Sequence, residues 1–335
     1  MAELKNRQWL LAARPAGMIK ETDFRWNETS VPPLKPGEIL LRNLALSCDP
    51  TQRGWMAMDT YMPAVPLGAV MRALSVSQVV ESSNSGFASG DLVQGMTGWE
   101  DYTVSDGRGM QKLPPKADPL VALSVLGATG LTAYFGVLDI GLPEPGQTFV
   151  VSGAAGATGS VAGMIAKIKG CRVIGIAGGR VKCDWLSNEA GFDAAIDYKN
   201  EDVGSALSRL CPRGVDIYFD NVGGELLEIV LDRVASNARI VLCGGISQYN
   251  NPQGMFGAGP RNYFNLILRN ARMEGFIVLK FQSRFAEAVA ELAKWHTDGR
   301  IKNKLDIAHG LENAPKALIG LFTGANFGKQ LLQLA

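Results

Sequence analysis

Histidine is nearly missing from this chain: 335 residues contain two, His296 and His309, both near the C-terminal end. A zinc ion held by Cys, His and an acid, or a histidine general base, therefore has few resources here. The five cysteines (Cys48, Cys171, Cys183, Cys211, Cys243) are odd in number, scattered and form no CxxC. That pattern excludes a disulfide framework and a four-cysteine zinc lobe, and it reads as reduced thiols in a cytoplasmic protein. Charge is also scarce and balanced, with 33 Lys+Arg against 32 Asp+Glu. No basic stripe offers a footprint for nucleic acid or an anionic membrane. No apolar run reaches the ~20 residues of a membrane span. The opening MAELKNRQWLLAARP has only a short apolar patch before Arg14, so it does not read as a signal peptide.

What is abundant is glycine, 39 residues, within a chain that is 47% apolar and long enough for two domains. The first ~125 residues read as β-rich, with strands at Glu38 to Ser47, Leu74 to Ser82 and Met96 to Val104, and no helical period. The character then changes. Leu120 to Gly141 reads as one long helix, and after the PEPGQ turn short apolar strands alternate with helices. Those strands begin at Thr148 (TFVVSGA) and continue through CRVIGIAGG, AAIDY, VDIYFDNVGG and ARIVLCGG. Continuous apolar strands separated by helices predict an α/β fold with a doubly wound parallel sheet. RFAEAVAELAKWHTDG carries Phe285, Val289, Leu292 and Trp295 at helical spacing, an amphipathic helix that packs on the sheet.

The strongest local signal is VVSGAAGATGS, which joins a strand to a helix through Gly153, Gly156 and Gly159. It is not the usual GxGxxG, but strand, turn, helix and second strand follow in the order of a dinucleotide-binding unit. Small residues there let backbone approach a pyrophosphate, and the helix N-terminus offers free N–H groups. The second strand ends in Ala177-Gly178-Gly179-Arg180-Val181-Lys182, with no acid before Asp184. An NAD-binding unit carries Asp or Glu at this point, whereas Arg180 and Lys182 can pair with a 2′-phosphate, which favours NADP(H). The alternative is a pair of solvated cations at a helix start.

GAAGATGSVAGMIAKIKGCRVIGIAGG, AIDYKNED, DIYFDNVGG, CGGISQYN, RMEGFIV and GLENAPKALIGLFTGANFGK together give the chain a resemblance to a known family over almost its whole length. It resembles the zinc-free branch of the medium-chain dehydrogenase/reductases that holds the NADPH-dependent alkenal/one double-bond reductases. The resemblance implies a GroES-like β-rich domain at 1–125, an inserted Rossmann domain at 126–296 and a return to the first domain at 297–335. It also implies a homodimer paired through the late strand around Gly275 to Lys280. It assigns the pyrophosphate turn to Gly156, Ala157, Thr158 and Gly159, and the 2′-phosphate contacts to Lys182 and Tyr198, beside Gly179 and Arg180. Asn221 matches the NVGG asparagine. Cys243, Gly244, Gly245, Ile246, Ser247, Gln248 and Tyr249 match the loop beside the nicotinamide ribose. Phe276, Ile277, Val278 and Asn326 complete the cofactor set. For Tyr198, Asn221 and Phe276 the alternatives are a strand-end aromatic, a turn former and a core residue.

The resemblance further implies conjugate reduction of an enal or enone. Hydride adds to the β-carbon, charge gathers on an enolate oxygen, and hydrogen bonds stabilise it without a Lewis acid. Tyr61 and Tyr249, with Arg53, are the catalytic candidates, and Tyr61 and Tyr263 are the substrate-binding candidates. The family's DPYMR reads Asp49-Pro50-Thr51-Gln52-Arg53 here, so Thr51 replaces a tyrosine that borders the substrate. Arg53 could equally belong to a structural pair. The rival readings are a quinone reductase of the same superfamily and a non-catalytic NADPH-binding protein.

Overall fold

The computed structural model describes residues 4–252, 257 and 259–334. The chain forms two compact units. One comprises Met1–Leu123, Asp306–Asn326 and Gln330–Ala335, and the other comprises Ser124–Leu305 and Phe327–Lys329.

The first unit is β-rich. Its main sheet runs Leu305–His309, Lys329–Gln333, Ile39–Ser47, Arg72–Ser82, Leu92–Gly98 and Gln111–Lys112 in spatial order, with Tyr102–Ser105 also pairing Ile39–Ser47. The Met96 to Val104 segment is therefore two strands, broken at Trp99–Asp101. Trp55, Met56, Met71, Trp99 and Leu332 lie in its core. A short helix, Gln52–Ala57, stands where the sequence shows no helical period. Six residues are too few to display one, and Gln52 through Met56 are all buried, so no polar face marks it.

The second unit is the doubly wound sheet. Its strands are β1 (Thr148–Ser152), β2 (Arg172–Ala177), β3 (Ala194–Asp197), β4 (Val215–Asp220), β5 (Val234–Leu242) and β6 (Arg272–Gly275). They lie in the order β3-β2-β1-β4-β5-β6, and every pairing is parallel. The order reverses between β1 and β4, and in such sheets a dinucleotide crosses the C-terminal edge at that point. Between the strands run α1 (Ala157–Ile168), α2 (Arg180–Asn188), α3 (Val203–Leu210) and α4 (Gly224–Leu231). Val150, Ile174, Ile176, Ile196, Tyr218 and Ile240 are buried beneath them.

Two expectations change. Leu120 to Gly141 is not one helix but the segments Pro119–Leu123, Ala128–Phe135 and Gly136–Gly141, and the unit boundary falls between the first two. The chain folds back so closely that a Cβ on Gly130 would lie 1.8 Å from the Val125 carbonyl oxygen. The chain also stays with the second unit to Leu305 rather than leaving at 296. Trp295 and Ile301 are buried there, and Asn303 Nδ2 donates to Ser124 Oγ at 2.8 Å.

Candidate cofactor site and active-site residues

The C-terminal edge of the second unit's sheet gathers most of the residues singled out above. Gly156 caps α1, and Ala157, Thr158 and Gly159 form its first turn. A Cβ at Gly159 would lie 2.4 Å from the Gly153 carbonyl oxygen and 3.1 Å from Ala154 Cα. Only glycine lets the helix meet the turn this closely. The close packing sets the N-terminus of α1 directly after the turn, and a helix N-terminus offers free N–H groups to a pyrophosphate. The late segment Phe327–Lys329 braces this turn, since Gly328 N donates to Ala155 O at 3.0 Å.

At the end of β2, Gly179 caps α2 with φ +95°, a left-handed conformation that disfavours any side chain. Its N–H donates to Asp197 Oδ1 at 2.7 Å, and Asp197 also takes Lys199 N and Asn200 Nδ2. These hydrogen bonds hold the Asp197 carboxyl below the usual carboxylate range. Asp197 thus fastens the turn to β3, a role its place at the end of AAID did not suggest. The Tyr198 ring lies against Gly178, where a Cβ would sit 2.8 Å from the phenol oxygen. Tyr198 accordingly stands beside the Gly178–Lys182 turn. Arg180 is exposed and meets Asp184 at 3.5 Å, while Lys182 is half-buried. A surface pair of this kind is weak and leaves the guanidinium able to exchange Asp184 for a phosphate.

On the other half of the edge, Asn221 Nδ2 donates to Ser152 O at 2.7 Å, joining the end of β4 to the end of β1. The Cys243–Tyr249 loop packs onto the same segment: Ile246 N donates to Asn221 O, and Ser247 N and Oγ both donate to Val222 O. Tyr249 closes its own loop, its phenol oxygen accepting from Gly245 N at 3.2 Å. Gln248 Nε2 donates to Ser247 Oγ. Burial, and then the Asp220 charge, push the Cys243 thiol up to about 12, so it is no nucleophile at neutral pH. Phe276 follows β6, and a Cβ on Gly136 would lie 2.7 Å from its ring. Ile277 is exposed, and Val278 opens a 3₁₀ turn.

Sequence reasoning missed the group that binds these loops together. The Asp220 carboxylate, fully buried at the end of β4, accepts from Ser152 Oγ (2.9 Å), Tyr218 OH (2.8 Å), Val222 N (3.0 Å) and Gly223 N (3.0 Å). The available signal was an acid closing an otherwise apolar strand.

Tyr263 is not brought to this edge. Its neighbours Asn262 and Asn265 donate to Glu228 O and Leu231 O at the C-terminal end of α4, the end that points away from the Asp220 loops. Tyr263 itself is 59% exposed. Part of the loop before it, at 253–256 and 258, lies outside the described residues.

The remaining candidates belong to the first unit. Arg53 is buried, and its Nη2 donates to Pro15 O and Gly17 O, each at 3.1 Å. That arrangement ties the Pro15–Gly17 loop to the helix Gln52–Ala57. Tyr61 packs edge-on against Trp55, with ring centroids 6.4 Å apart. Its phenol oxygen meets Thr51 Oγ1 at 2.9 Å. Partial burial of the hydroxyl end raises the phenol above its ordinary value, the Thr51 hydrogen bond opposing. Asn326 is half-buried. Among the described residues no group of three or more His, Cys, Asp or Glu could hold a metal ion.

Comparison with known proteins places the chain in a family. An N-terminal domain of oxidoreductases matches residues 7–113, and a zinc-binding dehydrogenase domain matches residues 157–294. The chain is 41% identical to the NADPH-dependent curcumin reductase of Escherichia coli (strain K12), over 99% of this chain and 97% of that one. It is 39% identical to the 2-alkenal reductase (NADP(+)-dependent) of Nicotiana tabacum, over 99% and 98%. The crystal structure of CurA from Vibrio vulnificus in complex with NADPH superposes with a TM-score of 0.93 at 42% identity, covering 98% of this chain and 99% of that one.

Proposed function

This chain belongs to the zinc-free medium-chain dehydrogenase/reductases, in the branch of NADPH-dependent alkenal reductases, and from that premise we propose how its residues carry out the reaction. It is an NADP(H)-dependent oxidoreductase that reduces the C=C bond of α,β-unsaturated aldehydes and ketones. The observation that carries the assignment of residues is the glycine turn at the end of β1, on which α1 packs so closely that a Cβ at Gly159 would clash with the Gly153 backbone. The first turn of α1 receives the pyrophosphate. Arg180, Lys182 and Tyr198 receive the 2′-phosphate, and the exposed Arg180–Asp184 pair supports this because it opens at little expense. Asn221, the Cys243–Tyr249 loop, Phe276 to Val278 and Asn326 form the nicotinamide side.

NADPH, when bound, supplies the hydride that the substrate β-carbon accepts. The protein's task is then to hold the enal carbonyl and stabilise charge on its oxygen. Tyr61 is the proposed donor. Its raised phenol keeps its proton at neutral pH, and Thr51 orients the hydroxyl where relatives carry a second aromatic. Tyr249 acts as a positioning residue by closing its loop, and Arg53 acts as a structural tie. The α-carbon takes its proton from solvent or from a hydroxyl.

We extend the reading to a homodimer. β6 is an edge strand, and beside it Ile277, Leu279, Ile267 and Leu268 are exposed. An unpaired edge with apolar neighbours favours pairing with a second copy. All five cysteines are free thiols, which fits a cytoplasmic location.

The test is NADPH oxidation with a short 2-alkenal, a cyclic enone and a benzoquinone, each repeated with NADH. Enal or enone turnover with NADPH and little with NADH is expected. Quinone-only turnover would overturn the substrate class, and equal use of NADH would overturn the roles of Arg180 and Lys182.

A further inference from the structure

The charge at the centre of the cofactor edge has an unusual setting. Asp220 is fully buried, and every hydrogen-bond partner of its carboxylate donates: two hydroxyls, Ser152 and Tyr218, and two backbone N–H groups, Val222 and Gly223. Four donors and no acceptor is the pattern of an ionised carboxylate. None of these donors is a cation, so the carboxylate is held by dipoles, two of them at the N-terminus of α4. Its backbone oxygen also takes Cys243 N (2.9 Å) and Gly244 N (3.0 Å), which brings the loop after β5 against it.

The sheet order gives this charge a direction. β3, β2 and β1 carry the adenosine half of a dinucleotide, and β4, β5 and β6 carry the nicotinamide half. Asp220 closes β4, the first strand on the nicotinamide side. The reduced nicotinamide ring is neutral. When its hydride passes to the substrate, the ring becomes a cation, and a buried anion interacts differently with the two forms.

We propose that Asp220 is a positioning residue that also biases the bound cofactor towards its oxidised, cationic form and so favours hydride donation. This rests on the reading that NADP(H) binds at this edge. Asp220 sets the starts of the 221–224 and 243–249 loops through its hydrogen bonds, and its negative charge supplies the bias.

The test compares dissociation constants for NADPH and NADP⁺ by fluorescence titration, on wild type, Asp220→Asn and Tyr218→Phe. Asp220→Asn keeps the shape and removes the charge. It is expected to raise the ratio Kd(NADP⁺)/Kd(NADPH) by roughly three- to tenfold, the scale of one buried charge at an effective protein dielectric. Tyr218→Phe keeps the charge and strips one neutral donor from it. Its ratio is expected to move the other way, by about twofold, and this arm stands even if the Asn variant does not fold. A purely structural role would weaken both forms in parallel in either variant, and that result would overturn the proposal. Failure of wild type to bind NADPH would instead overturn the cofactor reading on which the proposal stands.

Discussion

Replacing Gly159 with alanine tests the glycine turn at a single atom. The new Cβ would lie 2.4 Å from Gly153 O, 3.0 Å from Gly153 C and 3.1 Å from Ala154 Cα. All three are backbone atoms, so no side-chain rotation relieves the clash. An ordinary contact needs a separation about 1 Å longer, so the first turn of α1 must move away from the turn by that distance. Overpacking of this kind costs about 1–3 kcal/mol, and alanine's better helix propensity returns about 1 kcal/mol. The net loss of stability is therefore at most about 2 kcal/mol, and the protein stays folded. Binding suffers more, because each hydrogen bond lost to the charged pyrophosphate costs about 1.5–3 kcal/mol. NADPH titration by fluorescence is expected to show a rise in Kd of ten- to a hundredfold, alongside a modest drop in Tm. Gly204→Ala in α3 is the control. Its nearest neighbour atom would be Asp202 Oδ1 at 3.6 Å, so it should gain about 0.5–1 kcal/mol and leave NADPH affinity alone. Wild-type affinity in Gly159→Ala would refute the reasoning.

Other consequences can be checked in the same preparations. Arg180→Ala combined with Lys182→Ala should raise KM for NADPH about tenfold, leave KM for NADH nearly unchanged and flatten the salt dependence of NADPH binding. Tyr61→Phe should lower kcat with an enone by about ten- to a hundredfold while sparing NADPH affinity. Because the Tyr61 phenol is raised, its neutral donor form persists to higher pH, so the wild-type rate should not decline between pH 7 and pH 9 on its account. Burial holds Cys171, Cys183 and Cys211 near 11 and Cys243 near 12, so at pH 8 the native protein should react with almost no thiol reagent, and all five thiols should react in denaturant. Fast native modification would contradict these environments. Ile277→Glu with Leu279→Glu should convert a dimer to a monomer by light scattering without loss of fold, since both side chains are exposed in the single chain.

The Rossmann unit was largely legible because buried parallel strands are continuous apolar runs and its helices bury one face. Val150, Ile174, Ile196, Tyr218 and Ile240 lie in the core where those runs put them. The Gly156–Gly159 turn and Arg180 announced themselves by residue type at a strand end. Other features left weaker traces. The helix Gln52–Ala57 is too short for a period and buried on nearly every side. The break near Ser124–Gly127 is invisible inside an evenly apolar stretch, since packing between Gly130 and Val125 sets it and composition does not. Asp197 and Asp220 act through hydrogen bonds to residues distant in sequence, up to 68 positions away for Ser152 and Asp220. Tyr263 owes its position to its neighbours. An aromatic near the active-site loops in sequence lies by the far end of α4, because Asn262 and Asn265 anchor its segment there.

The central claim is that hydride reaches the β-carbon of an enal and not its carbonyl carbon. The direct measurement uses NADPH deuterated at the transferring position, a 2-alkenal substrate and identification of the product by NMR. A saturated aldehyde carrying deuterium at the β-carbon is the predicted product. An allylic alcohol carrying deuterium at its carbinol carbon would contradict the account.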